Sequence, residues 1–198
     1  VYNEAATIRA VIARFDEYTP PGGLERTLVF VDDGSSDDTF ERSQPYAGPY
    51  DKRRVVVIKK KQGGKASALN LAFGHSRGQY VLSMDADSQL ASDSVRKLLT
   101  AFDDPSVCLC AGQVAISNRI NLLTHLQSLE YILMNGTARM FQSYFRSVLI
   151  APGPISMFKR EALEALKSRQ QEWGLIKPGA AADLQGPWET DTFAEDAK

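Results

Sequence analysis

Residues 28–36 read LVFVDDGSS, an apolar run that ends in two carboxylates, a glycine and two serines. Four apolar residues before such a polar turn predict a buried strand from Leu28 to Val31 with a loop behind it. The pattern returns at Val55 to Ile58 and at Tyr80 to Met84, with segments of helical spacing between the apolar runs. This alternation predicts an α/β fold, a mostly parallel central sheet with helices on both faces.

Further elements follow from the same periodicities. They are helices over residues 65–75, 93–102, 121–145 and 160–166, and strands over residues 107–116 and 155–158. The apolar stripe of the long helix, residues 121–145, has two interpretations: it docks on the sheet, or part of it faces a membrane portion or an acceptor channel. Residues 169–190 are predicted to be an irregular loop, in which Trp173 and Trp188 are candidates for stacking on a sugar.

Composition fits one domain, since the 198 residues are 43% hydrophobic and 24% charged. The formal net charge of -1 gives no overall field for nucleic acid, so no nucleic-acid partner is expected. Cys108 and Cys110 are predicted to be buried and unpaired, because a disulfide between residues this close would be strained. We expect residues 1–198 to be a single domain and a piece of a longer protein, since Val1 opens the chain as if in a loop after a missing strand.

Three acidic pairs stand out: Asp32 with Asp33, Asp85 with Asp87, and Glu195 with Asp196. The first two follow predicted strands, so they should converge in one crevice at the carboxyl ends of the sheet. The Asp85 and Asp87 carboxylates, separated by Ala86, can approach Mg²⁺ or Mn²⁺ together, and a diphosphate would complete the shell. A single pair could equally form a helix cap or a solvated turn, but three pairs in such positions argue against that interpretation.

Residues 62–67 read QGGKAS, and two glycines before Lys65 at a helix start allow close approach of an anion. The segment is not a P-loop, which would need Gly in place of Lys59 and Ser or Thr in place of Ala66. A flexible turn is the alternative. The basic triplets at residues 52–54 and 59–61 bracket a strand and are predicted to be its solvated ends.

Together these segments resemble glycosyltransferase family 2, and the resemblance covers nearly the whole chain. The matching motifs, in order, are YNE at 2–4, VDDGSSD at 31–37, GKASALN at 64–70, DAD at 85–87 and ED at 195–196. The chain is most similar to the processive synthases of β-linked polysaccharides, such as poly-N-acetylglucosamine, chitin, hyaluronan and cellulose synthases. Their Gln-x-x-Arg-Trp motif does not occur in this sequence, so the resemblance implies nothing about acceptor binding or processivity.

The resemblance implies a GT-A fold, which is Rossmann-like, and an inverting, metal-dependent sugar transfer. The donor would be a UDP-sugar, with N-acetylglucosamine as the expected sugar, and the acceptor a growing β-linked polysaccharide or another acceptor. The implied donor-binding residues are Tyr2, Glu4, Asp32, Asp33, Lys65 and Asp85. Asp85 and Asp87 would hold Mg²⁺ or Mn²⁺, and Asp196, with Glu195 beside it, would be the general base. The parent protein would meet a membrane through segments missing here, and this domain would face the cytoplasm.

Two other functions fit parts of the sequence. The chain could be a nucleotide-sugar-binding module that holds UDP and transfers nothing. It could also be a phosphatase with Asp85 as nucleophile, since an apolar strand before DAD resembles that motif. The phosphatase motif normally stands at the first strand and is followed by Thr or Val, whereas here it is in mid-chain and followed by Ser88.

Overall fold

The computed structural model describes residues 1–17, 23–50, 53–148 and 151–190, so Glu195 and Asp196 lie outside the described residues. The helices are α1 (Ile8–Glu17), α2 (Thr39–Ser43), α3 (Gly64–His75), α4 (Ser94–Thr100), α5 (Leu122–Tyr131), α6 (Arg139–Tyr144) and α7 (Arg160–Glu172). The strands are β1 (Arg26–Asp32), β2 (Gly48–Tyr50), β3 (Arg53–Lys59), β4 (Tyr80–Met84), β5 (Leu109–Ala111) and β6 (Ile155–Lys159).

The first sheet has the order β1-β3-β2. Strands β1 and β3 are rich in valine, which suits a pleated surface, and they pair in parallel from Arg26 opposite Arg53 to Asp32 opposite Lys59. The backbone N–H of Lys60 extends this pairing by donating to the carbonyl of Asp32 at 2.9 Å. Both strands therefore end together, which brings the acidic loop after β1 beside the residues that lead into α3.

The second sheet has the order β4-β6-β5, and β6 is antiparallel to both neighbours. The predicted α/β class is confirmed, but among the pairings described here only β1–β3 is parallel, which differs from the mostly parallel arrangement expected. The difference arises because an apolar run identifies a strand without recording its direction.

Apolar side chains hold a helix on each sheet. Ile8 and Ile12 of α1 are fully buried against Phe30 and Val55 of the first sheet. On the second sheet, Leu98 of α4 and Phe102 pack on Ile155 and Met157. Burial of such side chains contributes roughly 1.5–3 kcal/mol each, so the strands that carry the acidic loops are firmly anchored.

Strand β4 has the predicted bounds, whereas β5 is much shorter than the predicted 107–116. It pairs with β6 over three residues, after which the N–H of Gly112 donates to the carbonyl of Ile155 at 3.0 Å and the chain leaves the sheet. Cys108 is exposed, so the expectation that both cysteines are buried is wrong for this residue. Cys110 is partly buried, and that burial raises the pKa of its thiol.

The predicted long helix consists of α5, a π-helical segment (Ile132–Ala138) and α6. Asn121 caps it by accepting a hydrogen bond from the N–H of Thr124 at 2.9 Å. Its apolar side chains do not dock on the sheet: Leu122 is 75% exposed and Phe141 67% exposed. Within the described ranges, no helix is long and apolar enough to cross a membrane.

The irregular stretch after α7 includes a segment, residues 182–188, that folds back onto α3; we call it the docking segment. Asn70 of α3 donates to the carbonyls of Asp183 (3.3 Å) and Trp188 (2.8 Å) and accepts from the N–H of Trp188 (3.0 Å). From α7, Gln170 donates to the carbonyl of Pro187 at 3.2 Å. The docking segment is therefore fixed by a buried asparagine more than 110 residues away in sequence.

We expect Gly186→Ala to lower the free energy of unfolding by about 1–3 kcal/mol, the usual cost of overpacking. A Cβ at Gly186 would come 2.6 Å from the Cβ of Asn70, and only displacement of Asn70 or of the docking segment relieves that clash. Gly74→Ala on α3 is the matched control, because a Cβ there meets nothing within 4 Å. Urea denaturation measures both; equal midpoints for wild type and Gly186→Ala would contradict the close packing.

Candidate functional site

The loop after β1 is built around Asp32, which is 1% exposed. Its Oδ1 accepts hydrogen bonds from the hydroxyl and the N–H of Ser35, the latter at 3.3 Å. Its Oδ2 is buried and has no hydrogen-bond partner among the described residues. Asp32 thus lies beneath the loop, where it shapes the turn, rather than at its surface.

Asp33 faces the start of α3. Its Oδ1 accepts from the ammonium of Lys60 at 2.7 Å and from the N–H of Gly63 at 2.9 Å. Its Oδ2 accepts from the N–H of Gly64 at 2.8 Å, and the positive φ of +85° at Gly64 is a conformation that favours glycine. An ion pair and two amide N–H groups thus hold the side chain of Asp33, which is 11% exposed.

The second acidic group reaches the same helix start. The ammonium of Lys65 lies 2.8 Å from Oδ1 of Asp85, which directly follows β4, and both side chains are about 30% exposed. Gly153 borders this pair, since a Cβ there would come 2.7 Å from Nζ of Lys65. Asp87 is exposed in the turn that follows. The two strand-end aspartate groups therefore meet around the N-terminus of α3.

Tyr2 and Glu4 lie at the edge of the loop after β1. The N–H of Glu4 donates to the hydroxyl of Thr39 at 2.8 Å, and its carboxylate accepts from the hydroxyl of Thr7. Between them, the amide oxygen of Asn3 accepts from the N–H of Ser36 at 2.9 Å. Tyr2 is 47% exposed. These contacts fix residues 2–4 against the loop after β1 and leave the Tyr2 ring accessible to solvent.

Two residues of this region were not found from the sequence. Lys60 was expected at a solvated strand end, but its side chain is 8% exposed and is paired with Asp33, so that expectation is wrong for this lysine. Asp183 of the docking segment lies 3.6 Å from the same ammonium and accepts from the hydroxyl of Ser67 at 2.8 Å. That hydroxyl and the nearby ammonium hold the pKa of Asp183 below its usual value.

Trp173 and Trp188, the candidates for stacking on a sugar, lie in different surroundings. The Trp188 ring makes edge contacts with Phe73 and Phe158, at centroid distances of 6.0 and 6.1 Å, so it holds the docking segment in place. Trp173 is 65% exposed. Beyond Gly153, an open groove of about 350 Å³ is lined by Val114, Glu130, Tyr131, Met134, Arg139, Pro152 and Pro154.

Comparison with known proteins gives the family. The model of glycosyl transferase family 2 matches residues 1–167. An N-acetylglucosaminyltransferase of Rhizobium sp. (strain N33) is 37% identical over 169 residues, which are 83% of this chain and 37% of that protein. A poly-beta-1,6-N-acetyl-D-glucosamine synthase of Staphylococcus epidermidis is 26% identical over 98% of this chain and 42% of its own length. The chain thus spans about two fifths of the curated relatives it matches.

Solved structures show the fold. A mannosyltransferase of Pyrobaculum calidifontis, in complex with GDP-Man and Mn²⁺, matches 93% of this chain and 48% of its own, with a TM-score of 0.57 and 25% identity. TarS of S. aureus, in complex with UDP-GlcNAc, matches 93% of this chain and 49% of its own, with a TM-score of 0.54 and 18% identity. The match to the family model over most of the chain, together with these structures, leads to one assignment: the chain belongs to glycosyltransferase family 2 and has the GT-A fold.

Proposed function

We propose that this glycosyltransferase domain moves N-acetylglucosamine, with inversion, from UDP-N-acetylglucosamine to a β-linked saccharide acceptor. One observation carries the proposal: Asp33, Lys65 and Asp85 meet at the N-terminus of α3, where the positive end of the helix dipole and a lysine favour a diphosphate. The names of the relatives support the choice of sugar. The proposal also places this domain at the cytoplasmic face of a membrane, because UDP-sugars are made in the cytoplasm.

Asp33 is suited to recognise uracil. An ionised carboxylate has about four acceptor positions, and the bonds from Lys60, Gly63 and Gly64 use three of them. The remaining position is on Oδ2, where the ring N–H of uracil could donate. Cytosine has no ring N–H at that position, so the contact would favour uridine nucleotides over cytidine nucleotides.

The diphosphate would lie beside Lys65, whose charge adds to the positive end of α3. A divalent cation would bind here through Asp85 and the exposed Asp87, whose carboxylates are hard oxygen donors separated by one residue. Among the described residues, no cluster of three or more His, Cys, Asp or Glu could hold a metal alone. Such an ion would offset the negative charge that develops on the departing UDP.

The transfer itself needs a proton acceptor. The acceptor hydroxyl oxygen forms a bond to C1 of the sugar while the bond from C1 to the phosphate oxygen breaks, and its electron pair leaves with UDP. The hydroxyl proton moves to a carboxylate, and the resemblance assigns this role to Asp196, with Glu195 beside it. Attack from the face opposite the leaving group converts an α-linked donor into a β-linked product.

Calorimetric titration of the chain tests the donor site. We expect UDP and UDP-N-acetylglucosamine to bind in Mn²⁺, with affinity at least about tenfold higher than in chelator. CDP and GDP should bind more weakly, because neither cytosine nor guanine carries a ring N–H at the position where the uracil N–H would donate to Asp33. Titration with UDP-glucose measures the preference for the sugar.

Lysine variants provide the matched control for this titration. Lys65→Met should weaken UDP binding, whereas Lys97→Met removes a lysine that is 72% exposed on α4 and should leave the affinity unchanged. If wild type binds none of the five nucleotides, or binds CDP as well as UDP, the proposed donor site is contradicted.

A further inference from the structure

Lys60 is shared between two carboxylates. Its ammonium lies 2.7 Å from Oδ1 of Asp33 and 3.6 Å from Oδ2 of Asp183, and it also donates to the carbonyl of Lys61 at 2.8 Å. With its side chain 8% exposed, the ammonium is largely removed from water, so its partners determine where it lies. The charge on Asp183 therefore acts on the same cation that compensates Asp33.

The position of Asp183 depends on the docking segment. Its carboxylate is held by the hydroxyl of Ser67, and its carbonyl accepts from the amide of Asn70. Trp188, at the other end of the segment, is held by Asn70 and by two aromatic rings. Asp183 can share Lys60 only while this segment lies on α3.

We propose that Asp183 is a positioning residue for the nucleotide site, which acts on Asp33 through Lys60 and couples binding of uracil to docking of residues 182–188. This inference rests on the proposed function, in which Asp33 accepts a hydrogen bond from uracil. Because the ammonium of Lys60 also interacts with Asp183, it neutralises less of the charge of Asp33. Asp33 therefore remains a stronger hydrogen-bond acceptor for the ring N–H of uracil. By linkage, bound UDP favours the docked segment by the same factor.

Two substitutions of Asp183 distinguish an effect of its charge from an effect of its size. Asp183→Asn keeps the size of the side chain and an acceptor for Ser67 but removes the charge, whereas Asp183→Glu changes the size and keeps the charge. We expect calorimetry with UDP and Mn²⁺ to show about fivefold to tenfold weaker binding for Asp183→Asn, and an affinity closer to wild type for Asp183→Glu. Glu189→Gln, at an exposed residue next to Trp188, is the matched control and should bind UDP like wild type.

The reciprocal effect is measured by fluorescence. The chain has two tryptophans, so Trp173→Phe leaves Trp188 as the sole reporter of the docking segment. We expect saturating UDP to reduce acrylamide quenching of Trp188 in this background and to have a much smaller effect when Asp183→Asn is added. The quenching of the ligand-free variants also shows whether each one is folded around Trp188.

The outcomes distinguish the two proposals. If wild type does not bind UDP, the proposed donor site fails and this inference fails with it. If wild type binds UDP and Asp183→Asn binds it equally well, the inference alone is overturned. Weaker binding by Asp183→Glu than by Asp183→Asn would also overturn it, because that order indicates a role in shape rather than in charge.

Discussion

Replacing Asp87 by alanine is expected to remove the Mn²⁺-dependent part of UDP binding, with a loss of about tenfold or more in Mn²⁺ and little change in chelator. The magnitude follows from metal sites in general, where loss of even an outer contact costs about 10–100-fold in affinity. Asp85 is paired with Lys65 at 2.8 Å, whereas Asp87 is exposed in the turn after β4. Asp87 is therefore the carboxylate most available to a metal bound with the diphosphate.

Calorimetry with UDP, in Mn²⁺ and in chelator, measures this effect. Asp103→Ala is the matched control, because it removes an exposed aspartate from the turn after α4. The control should keep the full Mn²⁺ dependence of wild type. Unchanged UDP affinity of Asp87→Ala in Mn²⁺ would exclude the metal role of this residue and leave Lys65 and α3 as the source of diphosphate affinity.

Local sequence patterns predicted the strands that carry the site. The five residues Tyr80–Met84 form an apolar run bounded by Asp85, and the structure has a strand with the same bounds. Likewise, the run that ends at Asp32 and Asp33 leads directly into the acidic loop. Such segments are predictable because one short window contains both the apolar run and the turn that ends it.

Packing partners were not predictable in the same way. The helical periodicity of residues 121–145 left two interpretations open, docking on the sheet or facing a membrane portion or an acceptor channel. In the structure Leu122 and Phe141 are mostly exposed. Periodicity records that a helix has an apolar face and carries no information on what that face contacts. The strand predicted over residues 107–116 likewise forms only at residues 109–111, where the chain pairs with β6.

The contacts around Lys60 show the same limit. A lysine in a basic triplet normally lies in solvent, and nothing near it in sequence indicates that Asp33 and Asp183 will neutralise it. Asp183 lies in a stretch rich in glycine and proline, which predicted a loop. Its contact with Ser67 spans 116 residues, so it follows from the folded arrangement and not from any local pattern.

Asp196→Asn is expected to slow sugar transfer by about 10²–10⁴-fold, the usual contribution of a general base. The acceptor hydroxyl has a pKa far above neutrality, so its attack on C1 requires that its proton be removed as the bond forms. An asparagine has the same size but cannot take that proton. Because the proposed role of Asp196 is at the acceptor and not at the nucleotide, UDP affinity should stay as in wild type.

Release of UDP from UDP-N-acetylglucosamine with a chitooligosaccharide acceptor measures the rate, on the chain and, if it is part of a longer polypeptide, on that polypeptide. Asp191→Asn is the matched control, since it changes the same residue type five positions earlier. Its transfer rate should equal that of wild type. Near-wild-type transfer by Asp196→Asn would place the base elsewhere, whereas loss of both transfer and UDP binding would indicate a role in donor binding instead of proton transfer.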